Sequence, residues 1–370
     1  METGGHDLPT YDPSSDVDVQ SSGLVRWIES IDPGTHRRIK GLRLVTAYGL
    51  AALLGTLPSI SGGLHGGASL SILAGGFALW ASVSEARTVR RESSRDLALL
   101  CGAAVLGAVM MVGITPLLVG PRRPGAELTL AIGAFLVGYL KRYGVLGAGI
   151  GSQIYIGQLL AFALRLTTAD FGMIVVAGLI AALAAIVPRL LSGPAEHPAV
   201  ALTTLPGDPQ NSEVSALFMG MQAAAAAVAI VALNDVIGLT ESAWAITAST
   251  YVVASSKAGT IDRVRRRIIG TIIGVPLGLA CLPVADRMPI LIWIAAAVAM
   301  VIYAVALPER YDVACGAFAF TLVVTLAVGG DHSLTQLASR VWETMIGGTV
   351  GAGAAMLIVP HGSSRYRPLH

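Results

Sequence analysis

Arg267 opens an apolar run in which Gly270, Thr271 and Gly274 follow at three- and four-residue steps. That spacing places all four on one face of a helix. A guanidinium there offers paired donors to both oxygens of a carboxylate. Thr271 adds a hydroxyl, and the two glycines let a neighbouring helix approach closely. Arg95 holds the matching place in the first half of the chain, ahead of Gly102, with Leu99 where Thr271 stands. A short, hydroxyl-bearing segment precedes each arginine: Ser69 to Ser84 with Trp80 before Arg95, and Ser242 to Tyr251 with Trp244 and Thr247 before Arg267. Short segments at matching positions in two halves point to a transport path, although Ser and Thr also bond helices to one another. Trp244, Thr247 and Thr271 are the candidate lining of that path, and Arg95 and Arg267 are the charges that would draw in an anion. Glu343 is the candidate for coupling, because proton-driven carriers commonly hold a carboxylate inside the membrane. Arg340, three residues before it, can pair with it on one helix face.

The elements that position these residues must be membrane helices. Of 370 residues, 54% are hydrophobic and 13% charged, and the mean hydropathy is +0.69. A soluble enzyme or a disordered chain could not keep so much apolar surface from water. A net charge of +2 without a long basic block argues against nucleic acid as a partner. The abundance of Gly, 43 residues, suits closely packed membrane helices. Cys101, Cys281 and Cys315 sit singly in apolar runs and the histidines are scattered. Neither a metal site nor a disulfide framework is expected, and no cofactor. No catalytic constellation stands out, so an enzyme is not expected. No Walker-type Gly-Lys-Ser/Thr string occurs.

An all-α membrane protein of about twelve transmembrane helices is expected, arranged as two parallel six-helix repeats. Residues 1–40 read as an N-terminal tail, with a weakly amphipathic stretch at 24–29. The first repeat spans 41–191, a Pro-rich linker spans 192–212, the second repeat spans 213–359, and 360–370 form a C-terminal tail. The runs near 128–140 and 242–256 fall short of the ~20 residues of a spanning helix. With the N-terminus inside and twelve crossings, only Arg122, Arg123, Arg165, Arg287 and Arg340 of the 25 Lys and Arg face outward. Both termini are therefore expected in the cytoplasm. Sliding the second half back by 172 residues lays Arg267 on Arg95, Gly274 on Gly102 and Ile358-Val359-Pro360 on Ile186-Val187-Pro188. Halves with even numbers of helices enter the membrane the same way, and substrate sites tend to lie between them.

The order Trp244, Thr247, a basic stretch, then Arg267-x-x-Gly270-Thr271-x-x-Gly274 resembles the fusaric acid resistance protein-like family. That family is grouped with aromatic acid exporters and, more distantly, with plant aluminium-activated malate transporters. The resemblance is strongest over 213–359 and fainter over 41–191. It implies efflux of organic, often aromatic, carboxylates across the bacterial inner membrane, with a positively charged route between two six-helix units. A lipid bilayer, a small organic anion and protons are the partners it brings, and a homo-oligomer stays open. A passive anion channel and a membrane scaffold without transport are the alternatives. The near-absence of a carboxylate at mid-depth favours the channel, whereas basic stretches repeated in both halves argue against the scaffold.

Overall fold

The computed structural model describes residues 36–62, 67–87, 89–120, 125–192, 213–285, 287–307, 309–328 and 334–358. The amphipathic stretch at 24–29, the linker after Ser192 and the C-terminal tail lie outside them. The described residues are helical, with no strand among them. Twelve helices in them have eleven or more residues: α1 (His36–Thr56), α2 (Gly67–Ser84), α3 (Arg90–Leu118), α4 (Thr129–Tyr139), α5 (Gly144–Ala163), α6 (Phe171–Ser192), α7 (Glu213–Ile237), α8 (Ser242–Val252), α9 (Lys257–Ala280), α10 (Pro289–Ala306), α11 (Tyr311–Val328) and α12 (Leu334–Leu357). A 3-10 turn joins α4 to α5 and ends at Gly144, whose φ of 74° is open to glycine at no steric cost.

Among the described residues, six segments are long and apolar enough to cross a membrane: Arg90–Leu118, Ala126–Ala163, Thr168–Ser192, Ser215–Ile237, Lys257–Val284 and Pro289–Ala306. Leu70–Ser84 and Tyr311–Leu326 are apolar but shorter. Helix α1 is made less apolar by Arg37, Arg38, Lys40 and Arg43, and α12 by Arg340 and Glu343. The buried faces are rich in alanine, such as Ala47, Ala74, Ala104, Ala177 and Ala181, while Leu179, Leu183, Ile273, Leu277, Ile290 and Ile294 point outward. Small residues inside and large apolar residues outside are what close helix packing within lipid requires. This is a multi-pass membrane protein.

Two sequence expectations change. Helix α1 begins at His36, before the expected boundary at 41. The basic stretches, which the sequence reads as cytoplasmic turns between apolar runs, open helices instead: α3 starts at Arg90 and α9 at Lys257. Ser256 caps α9, its Oγ accepting from Gly259 N–H at 3.1 Å. Arg266 pairs with Asp262 one turn earlier at 2.8 Å, and Arg263 donates to Val253 O. Local pairs of this kind let a charged stretch stay helical outside an apolar layer.

Within the first six helices α1 packs on α2 and α6, α2 on α5 and α6, α3 on α5 and α6, and α4 on α5. Within the last six α7 packs on α8 and α12, α8 on α12, α9 on α11 and α12, and α10 on α11. Across the two sets α1 meets α10, and α4 meets α7.

One end of the bundle gathers charge. Arg43 of α1 and Glu85, just after α2, form a buried pair at 2.8 Å. Lys40 Nζ donates to Glu85 O at 2.7 Å, and Arg87 N–H to Glu85 Oε1 at 2.6 Å. The fully buried Arg189 donates to Ser93 Oγ at 2.7 Å and to Arg87 O at 3.1 Å, tying α6 to the start of α3. Across the two sets, Arg37 pairs with Glu309 and holds its carboxyl below the usual carboxylate range. Arg266 donates to Glu309 O at 3.1 Å.

Candidate functional site

Helix α9 presents the expected face. Arg267, Gly270, Thr271 and Gly274 are all buried on it, while Ile269, Ile272 and Ile273 point away. The glycines do not line an opening. A Cβ on Gly270 would fall 2.3 Å from Asp312 O, and one on Gly274 would fall 2.2 Å from Gly316 O. Their role is to bring α11 against α9 backbone to backbone, which carries Tyr311 and Cys315 onto Arg267. We expect Gly274→Ala to force α9 and α11 apart and to destabilise the fold by about 1–3 kcal/mol. Thermal unfolding in detergent would measure this, and an unchanged midpoint would count against the tight approach.

Arg267 is 7% exposed. Its Nη1 reaches Tyr311 Oη at 3.4 Å, and its Nε has no hydrogen-bond partner among the described residues. No described carboxylate lies within ion-pair distance of it. Its guanidinium stands 5.9 Å from the ring centroid of Trp244, and that of Arg340 stands 5.0 Å from the same ring. Two cations thus share one indole, each within cation–π reach. Trp244 is fixed by its edge, Nε1 donating to Thr344 Oγ1 at 2.9 Å and to Arg340 O at 3.2 Å. Phe318 stacks on it at 5.7 Å, with 18° between the planes.

This cluster touches the first six helices. Trp80 of α2 packs edge-on against Phe318 at 5.3 Å and against Tyr303 at 6.0 Å. Tyr155 of α5 donates to Thr247 Oγ1 at 2.8 Å, while Thr247 donates to Ala243 O. Ser152 Oγ and Tyr251 Oη share a hydrogen bond at 2.7 Å. Thr247 and Trp244 therefore occupy the boundary between the two sets of helices. Thr271 is buried on the α9 face that carries Arg267.

Arg95 is placed elsewhere. Its side chain is 62% exposed and bonded to Asp96 at 3.1 Å, and Arg87 holds the other oxygen of that carboxylate at 2.9 Å. The 172-residue offset is the cause. It maps the buried α9 face onto Arg95, Ala98, Leu99 and Gly102, all exposed, whereas α3 buries Leu97, Leu100, Cys101 and Ala104. Two residues turn a helix by about 200°, so a register that aligns letters well presents the opposite face. The buried face of α3 therefore carries leucine, not arginine, into the core of the first six helices.

The expected Arg340–Glu343 pair does not form. Arg340 lies 3.9 Å from Glu241. Glu343, fully buried, accepts Glu241 N–H on Oε1 at 2.7 Å, and its Oε2 has no partner among the described residues. Gln153 and Gln222 bond neighbouring elements, through Ser84 Oγ at 3.1 Å and Ile358 O at 2.6 Å. Phe318, Tyr303, Tyr155 and Thr344 were not singled out in the sequence. The usable signal was a tyrosine inside an apolar run, since a buried phenol seeks a hydrogen-bond partner.

Neither a curated protein nor a solved structure matches this chain. Residues 223–354 match a family model described as fusaric acid resistance protein-like. Over the segment that holds Trp244, Arg267, Arg340 and Glu343, the chain is similar to the fusaric acid resistance protein-like family.

Proposed function

We propose that this membrane protein, whose residues 223–354 match a fusaric acid resistance protein-like model, moves small organic carboxylates, aromatic ones among them, out of the cell. The observation that carries the reading is the buried Arg267, which no described carboxylate neutralises. Burying a lone cation costs several kcal/mol, so an arginine held this way among Tyr251, Tyr311 and Trp244 is suited to an anionic visitor. Phe318, Trp80 and Tyr303 would give the organic part of that visitor an apolar, aromatic surface.

Two parallel six-helix repeats, with the path between them, are part of the proposal. Its support is the pattern of helix contacts: α1·α2, α1·α6, α2·α6, α3·α5, α3·α6 and α4·α5 recur six helices later, and α1·α10 mirrors α4·α7. An axis along the membrane normal relates repeats that enter the membrane the same way. The basic end formed by Arg37, Arg43, Arg87, Arg189 and Arg266 supports a cytoplasmic location for both termini, here in a bacterial inner membrane. Arg267, ten residues into α9, would then lie about 15 Å from the inner end of that helix.

The test is flux of benzoate and malate in liposomes under an imposed voltage or pH gradient. Arg267-dependent flux that follows the proton gradient supports a coupled exporter. Flux driven by voltage alone replaces it with a channel, and no flux of either anion counts against transport. Cys315, beside Arg267, supplies a second check: a small thiol reagent should block flux, and benzoate should slow its reaction at least about fivefold if the two compete for one site. Labelling unaffected by benzoate would place the anion elsewhere.

A further inference from the structure

We propose that Glu343 is a proton-binding site whose occupancy sets how strongly Arg340 attracts an anion at Trp244, so that proton and anion bind together. The inference rests on the transport reading and adds to it the coupling ion and the residue that carries it.

Glu343 is fully buried, nine residues into α12, and so about 14 Å from the start of that helix. One carboxylate oxygen caps the head of α8 through Glu241 N–H at 2.7 Å. The other is enclosed and meets no donor among the described residues. A proton on that second oxygen removes the charge while leaving the α8 bond in place. No group of three ligating side chains that could hold a metal ion occurs among the described residues, and a single orphan oxygen is a site for a proton. The route to solvent is short, because the neighbouring Glu241 side chain is 27% exposed.

Glu343 is wired to the anion site on both sides. Thr344, the next residue, accepts from Trp244 Nε1, and Arg340, one turn earlier, stands over the same indole. Among the described residues, the charged groups that act on it are Arg340 on its own helix and Glu241 at the head of α8, and Arg267 of α9 stands over the same indole as Arg340. Glu127 accepts from Ser242 Oγ at 2.6 Å on the far side of the α8 head, and Asp235 is exposed near the end of α7. With Glu343 ionised, its charge and that of Glu241 both draw on Arg340. With Glu343 protonated, one of those competitors is gone and an anion beside Trp244 meets a stronger positive field. Coupling of this kind is reciprocal: the anion raises the proton affinity of Glu343 by the factor by which the proton raises anion affinity.

Infrared titration of the full-length protein reads this directly. A protonated-carboxyl C=O band should grow as pH falls, vanish in Glu343→Gln and persist with a displaced midpoint in Glu343→Asp. Benzoate should move the wild-type midpoint up by about one pH unit, a tenfold coupling. A band that survives in Glu343→Gln overturns the assignment. A Glu343 band that titrates unmoved in protein that binds benzoate overturns the coupling alone. The same band in protein that takes no benzoate overturns the coupling and counts against the transport reading as well.

Discussion

Replacing Arg267 with alanine should lower carboxylate flux about ten- to a hundredfold, since a hydrogen bond between charged partners is worth about 1.5–3 kcal/mol. The same change should leave the unfolding temperature in detergent unchanged or raised. The guanidinium is 7% exposed, contacts Tyr311 at a long 3.4 Å, and has no described carboxylate partner. Removing it therefore sacrifices little bonding and relieves a buried charge, which is often neutral or stabilising. A purely structural arginine would behave the other way, with stability falling and flux following it. Arg267→Lys separates charge from geometry: an ammonium keeps the field but not the planar pair of donors, so flux should recover in part. Full recovery would mean that the site reads charge alone. Flux in Arg267→Ala equal to wild type would remove Arg267 from the path. Arg95→Ala, an exposed residue bonded to Asp96, should change flux less than Arg267→Ala does.

The second large effect concerns the fold. Glu85→Ala should destabilise the protein by about 3–5 kcal/mol, the usual cost of leaving one member of a buried ion pair behind. Arg43 and Glu85 are 3% and 1% exposed, and Glu85 also accepts Arg87 N–H. Their pair joins α1 to the turn that ends α2, the helix that carries Trp80 to Phe318. The single variant takes from Arg43 its buried carboxylate, while replacing both partners with apolar residues of similar size should restore much of the loss, because neither charge then remains. Chemical unfolding of the two variants decides the matter. Equal loss in both would mean that packing volume, not charge, holds the α1–α2 junction. Loss of flux in the double variant despite restored stability would show that the junction also positions Trp80.

Much of this protein could be read from its letters. The apolar runs marked the chain as a helical membrane protein, because lipid demands continuous apolar sequence and helices that satisfy their own backbone. The shortness of α4 and α8 was equally visible, and both have eleven residues. So was the α9 face, since Arg267, Gly270, Thr271 and Gly274 depend only on helical periodicity. The helix starts were hidden, because charged residues at 90–95 and 257–266 break hydropathy without breaking hydrogen bonds. The partners of each polar group were hidden as well. Tyr155 meets Thr247 across 92 residues, and Trp244 meets Thr344 across 100. Nothing in either local sequence encodes those pairings. They follow from how the described helices pack.

The arginines show the division most plainly. Their sequence positions and the 172-residue offset made Arg95 and Arg267 equivalent. The tertiary structure turned one toward solvent and Asp96, and the other toward Trp244 and Tyr311. The physical reason is angular: sequence similarity is scored along the chain, whereas a helix presents residues around its axis, about 100° apart. Composition and periodicity determined that this is a helical membrane protein and that Arg267, Gly270, Thr271 and Gly274 share one face of α9. Only packing decided that a single arginine of the pair reaches the boundary between the two helical sets, and that Glu343 caps α8 instead of pairing with Arg340.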